Sequence, residues 1–258
     1  MDKHSISSIK LFKACPRAYE LKYVYGVTPR ITSDALETGL RYHEMIEQFE
    51  TSGKLPELDS KEAAMAIAYA RYIHKDMPRF QPEQWFEISI GRSKRLIGRL
   101  DGKVDDAIVE HKTTSLASID EYEVDLQRDE QLLAYMLATG CNKAYYTICR
   151  KPTIRQKQSE TTEEFARRCL DWYTEDTYNK IRLVIVYRHH EQISQFGDEL
   201  KAMFKVIDSS KKSGFFYKNT CNCNVWGRKC EYAPICLDYD PEQKYVDFER
   251  SKGVNDVW

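Results

Sequence analysis

Leu36, Leu40, His43 and Phe49 recur at helical spacing up to Gly53, and Asp34 with Glu37 has the form of a capping box. The stretch therefore reads as an amphipathic helix whose apolar stripe carries His43. Upstream, Ser7 or Ser8 opens a short helix, and Pro16 suits the first turn of a second one over 17–25. Asp59 and Glu62 introduce a further helix over 63–75. The period then changes. Phe86, Ile88 and Ile90 alternate with Glu87 and Ser89, the mark of a half-buried strand. Two more strands are predicted over 95–104 and 107–114, bent at Asp105–Asp106. A helix over 129–139, a Tyr-rich strand over 144–149 and a helix capped by Thr161 and Glu164 come next. A strand over 181–188 and a long helix over 192–209 complete the pattern. Helices before and after a small sheet predict an α/β fold.

Composition narrows the class. The 258 residues are 42% hydrophobic and 31% charged, without repeats or a long linker, which suits a single globular unit. Lys and Arg number 39 against 40 Asp and Glu, a net charge of −1, so nucleic-acid affinity requires a local basic patch. No apolar run approaches the ~18 residues of a membrane span, and the opening MDKHSISSIKLF lacks an apolar signal core. The expectation is an intracellular, cytoplasmic protein with no membrane partner. In a reducing compartment, Cys221, Cys223, Cys230 and Cys236, clustered within sixteen residues, suggest metal binding.

The segment GRLDGKVDDAIVEHKTTS concentrates the chemistry. Along a strand, residues i and i+2 share a face, so Glu110 and Lys112 project together while His111 points away. Pairing with the preceding strand brings Asp101 near Glu110. Two carboxylates suit a hard cation such as Mg²⁺ or Mn²⁺, and an adjacent lysine suits charge developing on a phosphate. Taken singly, these residues equally fit turn positions and a solvated cross-strand pair. His43 taken alone fits a hydrogen-bonded core histidine. Gln131 and Tyr135, four apart on one helix face, equally fit surface and core.

Together the residues resemble the PD-(D/E)XK nuclease superfamily, in its RecB-like branch of CRISPR-associated and phage-type exonucleases. SSIKLFKACPRAYELKYVYG is similar to the family's amino-terminal Ser…Cys-Pro…Tyr segment. Gly39-x-x-x-His43, Gly98-Arg-Leu-Asp101-Gly, Glu110-His-Lys112 and Gln131-x-x-x-Tyr135 follow in the family's order. The resemblance implies a restriction-endonuclease-like core, a small mixed sheet flanked by helices. Its parts would be a helical region over 1–80, the nuclease core over 84–210, and a cysteine segment over 211–240 packing with Cys15.

It further implies metal binding by His43, Asp101, Glu110 and the carbonyl of His111, with Lys112 as the catalytic lysine. Gln131 and Tyr135 would line the active site and touch the DNA strand. The iron–sulfur members of the family imply a [4Fe–4S] cluster on Cys15, Cys223, Cys230 and Cys236. Cys221 is the alternative to Cys223, and Zn²⁺ or free thiols are the alternatives to the cluster. Cys141, Cys149 and Cys169 read as buried hydrophobes.

Basic residues flank these motifs. Lys143, Arg150, Lys151, Arg155 and Lys157, interleaved with Tyr145 and Tyr146, form a stretch suited to phosphates and bases, or simply a solvated loop. Arg92, Lys94, Arg95 and Arg99 form a second basic stretch. The acidic residues Asp120, Glu121, Glu123 and Asp125 lie between the two. The leading expectation is a metal-dependent DNA exonuclease acting on single-stranded or end-bearing DNA, in a bacterial or phage-infected cell. A structure-specific endonuclease on the same site and a non-catalytic DNA-binding protein with an architectural metal group are the alternatives. No Gly-x4-Gly-Lys-Ser/Thr loop occurs, so unwinding would fall to a separate helicase or recombination partner.

Overall fold

Side-chain caps start many of the elements. In the computed structural model, which describes residues 2–30, 34–225, 228–237 and 248–250, the chain opens with β1 (Asp2–Ser5) and α1 (Ile6–Ala14). Ser5 is the N-cap, accepting from the Ser8 amide, so the helix starts earlier than Ser7 or Ser8 suggests. Pro16 leads α2 (Pro16–Tyr19), which continues as a π-helical turn over Glu20–Val24 closed by the Tyr25 amide on the Glu20 carbonyl. There follow β2 (Val27–Pro29), α3 (Asp34–Ser52) and α4 (Lys61–Tyr72), the last capped by Ser60.

The strands β3 (Gln81–Ile90), β4 (Lys94–Val104) and β5 (Ala107–Thr114) come next. The β4–β5 turn holds Asp105 at a φ of 36°, a conformation Asp tolerates. After them come α5 (Ile119–Leu126), α6 (Glu130–Thr139), β6 (Lys143–Arg150), α7 (Thr162–Glu175), α8 (Thr177–Lys180), β7 (Ile181–Tyr187) and α9 (His190–Ser213). Asp129 caps α6, and Thr161 and Glu164 form the expected capping box of α7. The tail holds β8 (Asn224–Val225), β9 (Arg228–Lys229), α10 (Ala233–Leu237) and β10 (Phe248–Arg250). Within the predicted cysteine segment, residues 226–227 and 238–240 lie outside the described residues.

The fold is mixed α/β. Chain contacts group it into two units, neither continuous in sequence: 1–33 with 88–97 and 198–258, and 34–87 with 98–197. In the second unit β4, β5, β6 and β7 lie in that order. The pairs β4–β5 and β6–β7 are antiparallel and β5–β6 is parallel, a mixed sheet. Its core joins Tyr42 and Ile46 of α3, Ala64–Tyr69 of α4, Cys149 of β6, and Cys169, Leu170 and Tyr173 of α7. Leu36 and Leu40, predicted on the buried stripe of α3, are instead 53% and 52% exposed; the covered face is Thr38, Tyr42 and Ile46. The reason is where α4 packs, a tertiary choice that leaves the other stripe bare.

In the first unit β1 pairs in parallel with Lys94–Ile97 of β4. A second core gathers Ala18, Leu21, Val27, Tyr232, Ile235 and Phe248, with Cys15, Cys230 and Cys236 packed at its margin. No helix among the described residues is long and apolar enough to cross a membrane.

Candidate active site

The predicted site residues on β4, β5, α3 and α6 meet in the second unit. Extending the β4–β5 register by one step from the Gly102–Val109 pair sets Asp101 opposite Glu110. Asp101 Oδ2 accepts from the His111 amide at 2.8 Å and Oδ1 from His43 Nδ1 at 3.2 Å. Burial alone would raise the Asp101 carboxyl. The hydrogen bond and charge of His43 outweigh it and hold Asp101 well below the usual carboxylate range. Burial likewise works against His43, and the Asp101 bond carries it above its ordinary value. The two are joined by this hydrogen bond between α3 and β4.

Strand alternation separates the next three residues as expected. The His111 ring turns toward α3 and α4, with centroids 6.2 Å from His43 and 5.2 Å from Tyr69, and its Nδ1 pairs with Thr147 Oγ1 at 2.7 Å. Burial pushes His111 down to about 4, so the ring is neutral. Glu110 and Lys112 turn toward α6. Glu110 is 2% exposed, and its Oε1 accepts from Lys112 Nζ and, at 3.1 Å, from Gln131 Nε2. Lys112 also reaches Gln131 Oε1 at 3.2 Å. Burial pulls the ammonium down, and Glu110 with Asp101 more than reverses that.

Gln131 is held from both sides. Its amide caps onto Asp129, and its Nε2 donates to the Tyr135 hydroxyl at 2.7 Å, which donates to the Arg99 carbonyl at 2.9 Å. The i, i+4 spacing of Gln131 and Tyr135 thus acts as a bracket fixing Glu110 against β4. Gly98 makes room for it: a Cβ there would stand 2.6 Å from the Phe86 ring, which packs edge-on against Tyr135. At Gly39 a Cβ would meet Thr113 Oγ1 at 3.4 Å, so α3 lies close over β5.

Glu110 Oε2 is buried with no hydrogen-bond partner among the described residues. Burial raises this carboxyl to about 7, against the pull of Lys112. An orphaned buried carboxylate oxygen beside an ionised aspartate is a donor set that fits a hard divalent cation. Among the described residues no group of three or more His, Cys, Asp or Glu side chains is arranged, as it stands, to hold a metal ion.

The predicted DNA contacts fare unevenly. Arg150 spends its guanidinium on the Leu116 and Asn179 carbonyls, both at 3.0 Å, and rests over Trp172. Lys151 Nζ donates to the Ala35 carbonyl at 2.6 Å, and Arg155 is exposed on the following loop. Tyr146, expected to stack bases, is wholly buried, with its hydroxyl near Tyr122 and Asp129, because it stands on the sheet face that α5 and α6 cover. Asp120 and Glu123, part of the acidic run between the two basic stretches, sit on α5 and clamp Arg182. Arg99 pairs with Glu83 at 2.7 Å and lies over Trp85, a residue the hydrophobic pattern does not single out.

In the first unit, Cys15, Cys223, Cys230 and Cys236 are each partly buried, and Cys221 is exposed. Burial raises the Cys230 thiol, and the nearby Cys15, Cys223 and Cys236 raise it further. Burial raises Cys236 too, against the pull of Lys218 and Arg17. The Asn219 amide points at Cys15 Sγ at 3.4 Å. Cys15, Cys230 and Cys236 pack against the same core, and the Cys230 amide donates to the Cys223 carbonyl at 2.9 Å.

A sequence model of the PD-(D/E)XK nuclease superfamily matches residues 3–79, a span that holds His43 but stops short of Asp101, Glu110 and Lys112. A phage-related exonuclease from Haemophilus somnus 129PT is similar in structure, with 15% identity, 67% of this chain and 82% of that one covered, and a TM-score of 0.40. An alkaline exonuclease from Laribacter hongkongensis is similar at 12% identity, with 71% and 73% covered and a TM-score of 0.40. No curated protein matches the chain.

Proposed function

We propose that this chain is a metal-dependent DNA nuclease of the PD-(D/E)XK type, acting as an exonuclease. The observation that carries the reading is Glu110: buried, bound on one oxygen by Lys112 and Gln131, bare on the other, and adjacent to the Asp101–His43 pair. The superfamily match over 3–79 supports it independently. Glu110 and Asp101 would hold Mg²⁺ or Mn²⁺, with His43 and the His111 carbonyl beside them. The cation, when bound, supplies activation of water and offsets charge on the phosphate.

The protein's own part follows from its geometry. Lys112 places a permanent positive charge at the Glu110 carboxylate, where it can orient a water and stabilise an oxyanion on the phosphate. Gln131 and Tyr135 keep Glu110 and Lys112 from turning away. Neutral His111 fills the space behind Asp101 and presents its amide to that carboxylate. The exonuclease assignment rests on the ordered motifs, and unwinding would fall to a separate helicase or recombination protein.

We also propose that Cys15, Cys223, Cys230 and Cys236 hold a [4Fe–4S] cluster, with Zn²⁺ as the competing occupant. The partial burial of Cys223 and the bond of its carbonyl to the Cys230 amide support its choice over exposed Cys221. Such a group would tie residue 15 to the tail and act mainly on stability.

The test is cleavage of end-labelled linear and closed circular DNA in Mg²⁺ or Mn²⁺ by wild type and Lys112→Ala. Degradation of the linear form alone, lost in the variant, is the expected result. Cleavage of circles would make the protein an endonuclease, and binding without cleavage would make it a non-catalytic DNA-binding protein.

A further inference from the structure

Trp85 is 76% exposed, the barest large apolar side chain among the described residues. A core has no use for it there. The Arg99 guanidinium lies 5.7 Å from its ring and pairs with Glu83 at 2.7 Å. Glu83 holds a φ of +46°, a conformation uncommon for a residue with a Cβ, and such strain persists where neighbours impose it. Arg99 and Asp101 are two apart on β4 and so share a face. The Arg99 carbonyl is the anchor of the Tyr135–Gln131–Glu110 bracket. An exposed indole on β3, an arginine over its face on β4 and the candidate carboxylates of β4 and β5 are thus carried on adjoining strands.

We propose that Trp85 and Arg99 form a platform for an unpaired nucleotide of the strand entering the site. This rests on the nuclease reading and deepens it by naming the substrate class. The indole stacks on the base, and the guanidinium takes the neighbouring phosphate in exchange for Glu83. The exchange is feasible because an exposed Arg–carboxylate pair is weakly held, whereas a phosphate matches the guanidinium fork. Stacking selects unpaired DNA because the faces of a duplex base are already covered by its neighbours. Two strand residues, about 6.6 Å, separate Arg99 from Asp101, so the gripped nucleotide sits beside the one being cut.

The experiment compares wild type with Trp85→Ala, Trp85→Phe and Glu83→Gln. Probes are an end-labelled oligothymidylate and a blunt duplex of equal length. Cleavage is followed as KM and kcat in Mg²⁺, and binding as anisotropy in the Lys112→Ala background. Trp85→Ala is expected to raise KM and weaken binding for the oligothymidylate about tenfold or more, with kcat, duplex cleavage and Tm unchanged. Trp85→Phe should recover most of the loss, and Glu83→Gln, which frees Arg99, should tighten binding. A wild type that cleaves DNA while Trp85→Ala matches it on both probes overturns the platform and leaves the nuclease reading intact. Equal impairment on both probes also overturns it. Trp85-dependent binding without any cleavage in wild type would sustain the platform and overturn the nuclease reading. Neither binding nor cleavage would overturn both.

Discussion

Gly98→Ala tests whether the bracket behind Glu110 is as tightly built as its distances say. The new Cβ would stand 2.6 Å and 2.7 Å from two carbons of the Phe86 ring and 3.5 Å from Tyr135. Carbon atoms prefer about 3.5–4.0 Å, so the ring must retreat by roughly 1 Å. Phe86 is packed edge-on to Tyr135 with ring centroids 5.6 Å apart, and Tyr135 is pinned by Arg99 and Gln131. Overpacking of this kind costs about 1–3 kcal/mol, while loss of glycine's freedom in the unfolded chain returns roughly 0.4–1 kcal/mol. The net is centred on about 1.3 kcal/mol and at most about 2.6 kcal/mol, and should lower Tm by roughly 3–5 °C. Cleavage should fall as well, because displacing Tyr135 loosens Gln131 from Glu110. The assay is thermal melting and denaturant unfolding of Gly98→Ala, Phe86→Leu and the double variant. Relief of part of the Gly98→Ala cost in the Phe86→Leu background is expected from direct contact. Strictly additive costs, or a Gly98→Ala protein as stable and active as wild type, would refute the reasoning.

Three further outcomes follow from the same structure. Gln131→Leu removes the second donor to Glu110 and an acceptor for Lys112; a hydrogen bond to a charged group is worth about 1.5–3 kcal/mol, so cleavage should slow about 10- to 100-fold with folding retained, read by single-turnover rates and a melting curve. His4 is 2% exposed, rests 4.8 Å from the Phe204 ring and is lowered from 6.5 by burial, so the folded state prefers it neutral. That contribution is fully present well above 6.5 and is lost as pH falls below it, so stability should drop on acidification through that value, and less so in His4→Phe when urea midpoints are compared. Cys223→Ser should strip bound iron or zinc from protein purified without air, whereas Cys221→Ser should leave metal content and visible absorbance intact.

What was legible in the sequence is what short-range geometry dictates. The 3.6- and 2-residue periods and the capping box of Thr161 with Glu164 depend only on neighbours along the chain, and the helices over 129–139 and after Thr161 lie where they are predicted. The strand over 107–114 has the predicted bounds, and its alternation alone separates Glu110 and Lys112 from His111. The i, i+4 step from Gln131 to Tyr135 is likewise local. Spacing alone left each residue equally fit for a turn, a surface or a core; the order of the motifs, in their resemblance to the PD-(D/E)XK superfamily, nominated them.

Only the tertiary structure decides which surfaces are covered and which polar groups find partners. Asp2–Ser5 has no strand pattern and is a strand because Lys94–Ile97 offers it an edge. Leu36 and Leu40 stay in water because α4 covers the opposite stripe of α3, and Tyr146 is buried because α5 and α6 cover its face of the sheet. Arg150 is taken up by carbonyls far along the chain, while Trp85 is left bare beside Arg99. Such outcomes hang on contacts between residues tens of positions apart, for which periodicity carries no signal. The raised carboxyl of Glu110 belongs with them, since its cause is burial by elements that no local pattern could place.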